Sequence, residues 1–213
     1  MNGFRSAMTA DTDPSEPPAI SNPGGLGEDL WIFGYGSLMW RPGFPYLEAH
    51  PALLRGWHRS LCVYSHHHRG TPARPGLVLG LDRGGACRGV AFRVAAIEAE
   101  TTRAYLIERE QVTLVYREIA ARVRLDDGRI LRAMTFAVDR DHHQYAGSLA
   151  PERQAELVRS AHGVSGRNIE YLENTLRRLK ELGVRDGRLQ AVARSLGLAA
   201  LAPEPDPAPL LEF

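Results

Sequence analysis

Apolar and polar positions change rhythm twice along the chain. Short aromatic or aliphatic runs come first: Trp31-Ile32-Phe33-Gly34-Tyr35, then Leu77-Val78-Leu79-Gly80-Leu81 and Val90-Ala91-Phe92-Arg93-Val94. Their length and β-branched content predict buried strands. Val112 to Leu125 and Ile130 to Val138 flank Asp126-Asp127-Gly128, a hairpin signal. One helix interrupts these strands, from about Ile97 to Glu110, free of Gly and Pro and rich in Ala, Glu and Leu. Beyond residue 150 the spacing turns helical. Pro151 suits a first helical position and Gly163 a stop. Ile169, Leu172, Leu176, Leu179 and Leu182 recur every three or four residues, with Gly183 after them. Asp186 is placed to cap a last helix bearing Leu189, Val192 and Leu196. Strands followed by helices, without regular alternation, predict an α+β domain with a helical C-terminal third.

The ends read differently. Pro14, Pro17, Pro18, Pro23, Gly24, Gly25 and Gly27 crowd the first segment, so residues 1–28 are expected to form a disordered leader. Alternating prolines from Pro203 to Pro209 predict an extended tail over 203–213. That leaves one domain over 29–202, without internal repeat or linker.

Composition narrows the class. With 213 residues, 44% hydrophobic and 24% charged, the chain is ordinary globular protein. A domain of this size buries roughly 70% of its unfolded surface and needs no metal or disulfide to hold its core. The balance of 26 basic and 25 acidic residues lacks the excess of a nucleic-acid binder. No apolar run reaches the roughly 18 residues of a membrane span, and no apolar stretch follows Met1 as a secretory signal would. Cys62 and Cys87 fit neither a disulfide framework nor a metal pattern, so they read as partly buried thiols of a cytoplasmic protein.

Four segments carry chemistry. In Phe33-Gly34-Tyr35-Gly36-Ser37-Leu38 a strand runs into a glycine-flanked turn, whose N–H groups can form an anion nest. Ser37 is a weak nucleophile candidate because Gly-x-Ser-x-Gly is absent. His66-His67-His68 lacks a matching further ligand, so no metal is expected, and the loop reads as a substrate loop with Arg69 or Arg74 clamping a carboxylate. Glu110 shares a helix side with Leu106 and Ile107, whereas Glu108 points elsewhere. Burial and a helix C-terminus both raise a carboxyl pKa, making Glu110 a general-base candidate. Lastly, Ser165 or Asn168 can cap the helix that follows, with Arg167 beside them for substrate or for tying that helix to the sheet.

In this order the segments resemble the ChaC-type, glutathione-specific γ-glutamylcyclotransferases, from Trp31 to about Leu182. Phe33 to Trp40, Gly56-Trp57-His58-Arg59, Arg69-Gly70-Thr71 with Pro75-Gly76, Gly89 to Arg93 and Arg109-Glu110 carry the likeness. The long leader and the doubled histidines before His68 depart from it. The resemblance implies a small mixed β-barrel with packed helices. It also implies cleavage of glutathione into 5-oxoproline and cysteinylglycine without metal or cofactor, and no obligate protein partner. Glu110 falls on the family's catalytic glutamate, and Tyr35, Gly36, Ser37 and Leu38 on its substrate-binding turn. Action on another γ-glutamyl amine, a non-catalytic regulatory protein of the same fold, and a metal hydrolase built on the histidines are the competing readings.

Overall fold

The computed structural model describes residues 27–110 and 114–201. The expected leader, but for its last two residues, and the proline-rich tail lie outside the described residues. Strands β1 (Leu30–Gly34), β2 (Glu48–Ser65), β3 (Gly76–Val94), β4 (Tyr116–Leu125) and β5 (Ile130–Val138) close a barrel in the order β1-β3-β2-β4-β5. Every junction is antiparallel except the closing one, where β5 meets β1 in parallel at Ile32 and Met134. Helix α1 (Ala99–Glu110) follows β3, and α2 (Pro151–Ser160), α3 (Asn168–Glu181) and α4 (Gly187–Leu196) follow the barrel. A two-residue ladder, β6 (His162–Gly163) with β7 (Gly166–Arg167), precedes α3. This is the α+β barrel that the residue pattern and the resemblance imply.

Two expectations need correction. The runs at 77–81 and 90–94 are one strand, because Asp82, Arg83 and Ala86 keep pairing with β2 while Gly84 and Gly85, both at positive φ, bulge between them. Strand β2 itself has no clear alternation in the sequence. Register shifts at Arg55/Trp57 and Leu61/Val63 swap which residues face inward, and Gly56 takes a positive φ of 84° at the first of them. Gly163 does not stop α2, which ends at Ser160. It is glycine because the His67–His68 backbone passes so close that a Cβ would collide with the His67 carbonyl.

Fully buried Leu30, Ile32, Phe33, Leu54, Leu77, Leu81, Leu125 and Met134 fill the barrel, and Leu172 and Leu176 extend that core under α3. Each such side chain contributes about 1.5–3 kcal/mol on burial. Gly183 follows α3 with φ 62°, and Asp186 caps α4 by accepting from Leu189 N–H at 3.2 Å, both as the sequence predicts.

The mode of docking of α3 decides where a cavity opens. Strand β3 pairs with β1 only over residues 90–94, so its edge at Leu77 to Leu79 needs other partners. Side chains supply them. Asn168 Oδ1 accepts from Leu77 N–H at 2.7 Å and its Nδ2 donates to Leu77 O at 2.8 Å. Leu79 N–H donates to Tyr171 Oη at 3.3 Å, and Tyr116 Oη donates to Leu79 O at 2.8 Å. Neither Ser165 nor Asn168, the two candidates for capping α3, does so. Asn168 opens that helix but is wholly buried and bridges to β3 instead, and no side chain caps the helix start.

Candidate active site

A cavity of about 780 Å³ opens at this uncovered edge. Tyr35, Gly36, Ser37, Leu38, Arg69, Glu108, Glu110, Tyr116 and Tyr171 are among its lining residues. Of the residues singled out by sequence, the turn, Arg69 and Glu110 are thus brought together across very different sequence distances. Arg74 is not among the lining residues. Its backbone closes a turn with Thr71, N–H to O at 3.1 Å, and the residue is exposed.

The turn is short and tightly held. After β1, Ser37–Met39 form a single 3₁₀ turn, in which Met39 N–H donates to Gly36 O at 3.0 Å and Arg41 N–H to Ser37 O at 2.9 Å. The first N–H groups of such a turn have no partner within it. Gly36 has φ −122°, and a Cβ there would come 3.4 Å from Tyr171 Oη. Its lack of a side chain therefore leaves room over the turn and relieves no backbone strain.

Two arginines fix the turn from opposite sides. Buried Arg59 donates from Nε to Tyr35 O at 2.6 Å and from Nη2 to Arg88 O at 2.5 Å, and it pairs with Asp186 at 3.1 Å. Arg109, on the last turn of α1, donates from Nη2 to Ser37 Oγ at 2.9 Å. Its Nη1 lies within hydrogen-bond distance of Arg41 O (2.9 Å), Pro42 O (3.1 Å) and Tyr105 Oη (3.0 Å). Neither arginine's task is legible in the sequence. A planar fork able to hold several carbonyls at once is the property that suits arginine to it.

Glu110 follows Arg109 directly, its Oε1 3.7 Å from Arg109 Nε. Burial pushes its carboxyl above the ordinary carboxylate value, and the Arg109 charge opposes that shift. Glu108 is exposed at the cavity rim, as the helix phase predicts. Tyr35, Tyr116 and Tyr171 surround the same space, and burial with the Glu110 charge raises all three phenols, so they are neutral donors at neutral pH. The Tyr116 and Tyr171 hydroxyls are committed to Leu79, whereas Tyr35 Oη has no protein partner among the described residues.

At the mouth, Arg69 lies over the Tyr171 ring, 5.6 Å from its centroid, and donates to Arg167 O at 3.2 Å. So Arg167 ties the loop to α3 through its carbonyl. Of the histidines, His66 stacks on Tyr64, and His68 Nδ1 meets Ser165 Oγ at 3.0 Å. Burial with the neighbouring His67, Arg69 and Arg109 lowers the His68 pKa, leaving it neutral. Among the described residues no cluster of His, Cys, Asp or Glu is arranged to hold a metal ion. Cys62 and Cys87 are both buried free thiols, Cys62 pushed up to about 12 by burial. No described helix is long and apolar enough to cross a membrane.

A family model for ChaC-like proteins matches residues 30–197, which takes in the barrel, the cavity and all the helices named above. The chain belongs to the ChaC-like family. A glutathione-specific γ-glutamylcyclotransferase of Escherichia coli is 38% identical to this ChaC-like chain over 160 residues, covering 75% of the chain and 69% of the relative. A human glutathione-specific γ-glutamylcyclotransferase 1 is 33% identical over 170 residues, covering 77% of each. The crystal structure of a yeast γ-glutamylcyclotransferase specific to glutathione superposes with a TM-score of 0.74 at 23% identity, over 80% of this chain and 96% of that one. That likeness establishes the fold.

Proposed function

We propose that this ChaC-like protein is a γ-glutamylcyclotransferase that cleaves glutathione into 5-oxoproline and cysteinylglycine, with Glu110 as general base and then general acid. The observation that carries the proposal is that Glu110 and the glycine-containing turn from Tyr35 to Leu38 line one cavity, with Arg109 joining the two through Ser37 Oγ at 2.9 Å and burial raising the Glu110 carboxyl. The relatives named for the glutathione-specific reaction support it.

The reaction sets the requirements. The substrate's own α-amine must attack its γ-amide carbonyl to close a five-membered ring. At neutral pH that amine is mostly an ammonium. Glu110 takes its proton, the freed nitrogen bonds to the γ-carbon, and the amide C–N bond breaks. Glu110 returns that proton to the departing nitrogen, and the ring nitrogen gives up its second proton as the lactam forms, so that cysteinylglycine leaves with an ammonium and the protons balance. The nucleophile belongs to the substrate, so no protein nucleophile is required, and Ser37 is free to serve as an acceptor for Arg109. A carboxyl raised toward neutrality serves both halves of this cycle better than an ordinary one.

Holding the chain curled is the other half of catalysis, because near-attack geometry removes much of a cyclisation barrier. In this reading N–H groups of the turn from Tyr35 to Leu38 hold anionic oxygens of the γ-glutamyl head. The Tyr35 hydroxyl donates to substrate, and Arg69 holds a substrate carboxylate at the mouth. Arg74 takes no part. The reading implies a reducing, cytoplasmic setting, in which the substrate thiol stays free.

Incubating the purified protein with glutathione, γ-glutamylcysteine and γ-glutamyl-lysine, and measuring 5-oxoproline together with the released amine, tests this. Release of cysteinylglycine from glutathione at a rate well above that of the other two substrates is expected. Preference for γ-glutamyl-lysine would move the assignment to another cyclotransferase. No 5-oxoproline from any of the three would leave a binding protein of the same fold.

A further inference from the structure

A second concavity shares no lining residue with the catalytic cavity. Strands β2 and β4 pair only at Ala52–Leu54 with Val123–Leu125. Beyond that short ladder they part, and an open groove of about 1170 Å³ lies between Arg55 and Trp57 of β2 and residues 118–124 of β4. The groove is basic. Register puts Arg124 opposite Leu53, so Arg122, Arg124 and Arg55 share the outer face of the sheet. Arg83, paired with Trp57, closes one end, and Arg132 stands directly opposite Arg122 across β4 and β5.

Arg55, Arg83, Arg122, Arg124 and Arg132 form one group of like charges. Among the described residues none of them has an ion-pair partner, whereas Arg59, Arg93, Arg103, Arg117, Arg129, Arg140 and Arg178 all do. The one carboxylate among the described lining residues, Glu118, is already taken by two hydrogen bonds from Arg103, at 3.2 and 3.1 Å. Like charges directly opposite each other on adjacent strands are destabilising, and the Arg122–Arg132 pair is such a case. A multivalent anion lying along this face removes that repulsion and gives each guanidinium fork a pair of oxygens to bond. The half-buried Trp57 ring flanks the same groove.

We propose that this groove is a binding site for a small polyphosphate anion, free or as the tail of a nucleotide. Phosphoryl chains present closely spaced oxygens on a flexible line, and the four unpaired lining arginines come from three neighbouring strands, β2, β3 and β4. The field of four unpaired lining arginines over one groove also favours capture of a strongly charged ligand. The proposal is independent of the reaction assigned to the catalytic cavity.

Isothermal titration of inorganic tripolyphosphate into the full chain at low salt tests it. The control is the Arg122→Gln, Arg124→Gln double variant. One-to-one saturable binding is expected, weakened by at least about tenfold in the variant, as loss of charge-assisted hydrogen bonds requires. The variant should keep native thermal stability, since a like-charge contact is removed, and native turnover in the catalytic cavity. An ATP arm identifies the source: tighter binding than tripolyphosphate means Trp57 stacks a base, and equal binding means the phosphate chain alone is read. Absence of saturable binding would overturn the proposal. So would equal binding by the double variant, which would place the anion elsewhere, or equal binding of hexaglutamate, which would make the groove a peptide site.

Discussion

Removing the Arg109 guanidinium separates two tasks that the structure gives to one side chain. Arg109→Ala deletes the donors to Ser37 Oγ, Arg41 O, Pro42 O and Tyr105 Oη. A hydrogen bond to a charged group contributes about 1.5–3 kcal/mol, but these share one cation, and water reaches part of the site, since 21% of the side chain is exposed. A net loss of about 2–3 kcal/mol follows, well within the roughly 5–15 kcal/mol of a typical domain. The variant should therefore fold, with Tm lower by about 4–12 °C. Turnover should fall further than stability. The turn from Gly36 to Arg41 loses its tie to α1, and misplacement by about 1 Å can cost about 10²-fold. Loss of the cation also lets the Glu110 carboxyl rise further, because Arg109 is what opposes its upward shift. A base must be ionised to act, so the acidic limb of kcat/KM against pH should move to higher pH. Arg109→Lys separates the effects. Its charge restores the limb toward native, while its single ammonium cannot reproduce the fork and leaves kcat low. The assay is glutathione turnover from pH 5 to 9 for both variants, with thermal melts alongside. If Arg109→Ala melts within a degree of native and keeps more than half its turnover, Arg109 does not hold the turn in place.

Other outcomes follow from the same contacts. Asn168→Ala strands the buried N–H and C=O of Leu77, at about 1–3 kcal/mol each, so a Tm loss on the order of 5–15 °C is expected in melts; a change under 2 °C would refute the edge-capping role. Glu110 binds its proton more tightly in the folded than in the unfolded chain, so its contribution to stability is present below the unfolded pKa and is lost as pH rises through the folded one. Glu110→Gln, with no charge to bury, should then melt above native at pH 7.5, the gap closing toward about pH 4. A gap that widens on acidification would contradict this sign. Gly36→Val should lower turnover more than Ser37→Ala does, because its side chain, whose Cβ comes 3.4 Å from Tyr171 Oη and 3.8 Å from Leu79 Cδ1, fills the space over the turn; a melt of both variants separates this from loss of fold. The reverse order would assign the substrate contact to the Ser37 hydroxyl.

The α+β class and the helical third are legible in the chain where burial is one-sided and regular, whereas closure of the strands into a barrel is implied only by the family resemblance. The spacing of Leu172, Leu176 and Leu179 and the cap at Asp186 belong to elements whose neighbours all lie on one face. Strand β2 is not legible, because bulges at Arg55 and Leu61 change its facing and its centre is solvated on both sides. The turn and Glu110 can be proposed from local chemistry: a glycine pair after a strand, and a carboxylate in phase with Leu106. What local chemistry misses is long-range polar pairing. Asn168 looks like a cap from its neighbours, yet its partner is Leu77, and Arg59 reaches across to Tyr35 and Asp186. Arg69 and Arg74 are equivalent in sequence. Only the Thr71–Arg74 turn, which carries Arg74 off the cavity lining, tells them apart.

Glutathione turnover by Glu110→Gln, beside Glu108→Gln, is the most direct test of the catalytic assignment. Glutamine keeps the size and the hydrogen-bond acceptor of glutamate but takes no proton from the α-ammonium. General acid–base catalysis typically contributes about 10²–10⁴-fold, and one group serving both half-steps places the expected loss at or above the top of that range. Glu108, exposed at the rim, should tolerate the same change with little loss. Circular dichroism and a melt establish that both variants are folded. Near-abolished 5-oxoproline release by Glu110→Gln, with near-native release by Glu108→Gln, is the predicted result. Retention of more than about a tenth of native turnover by Glu110→Gln, or loss of activity in Glu108→Gln instead, would contradict it.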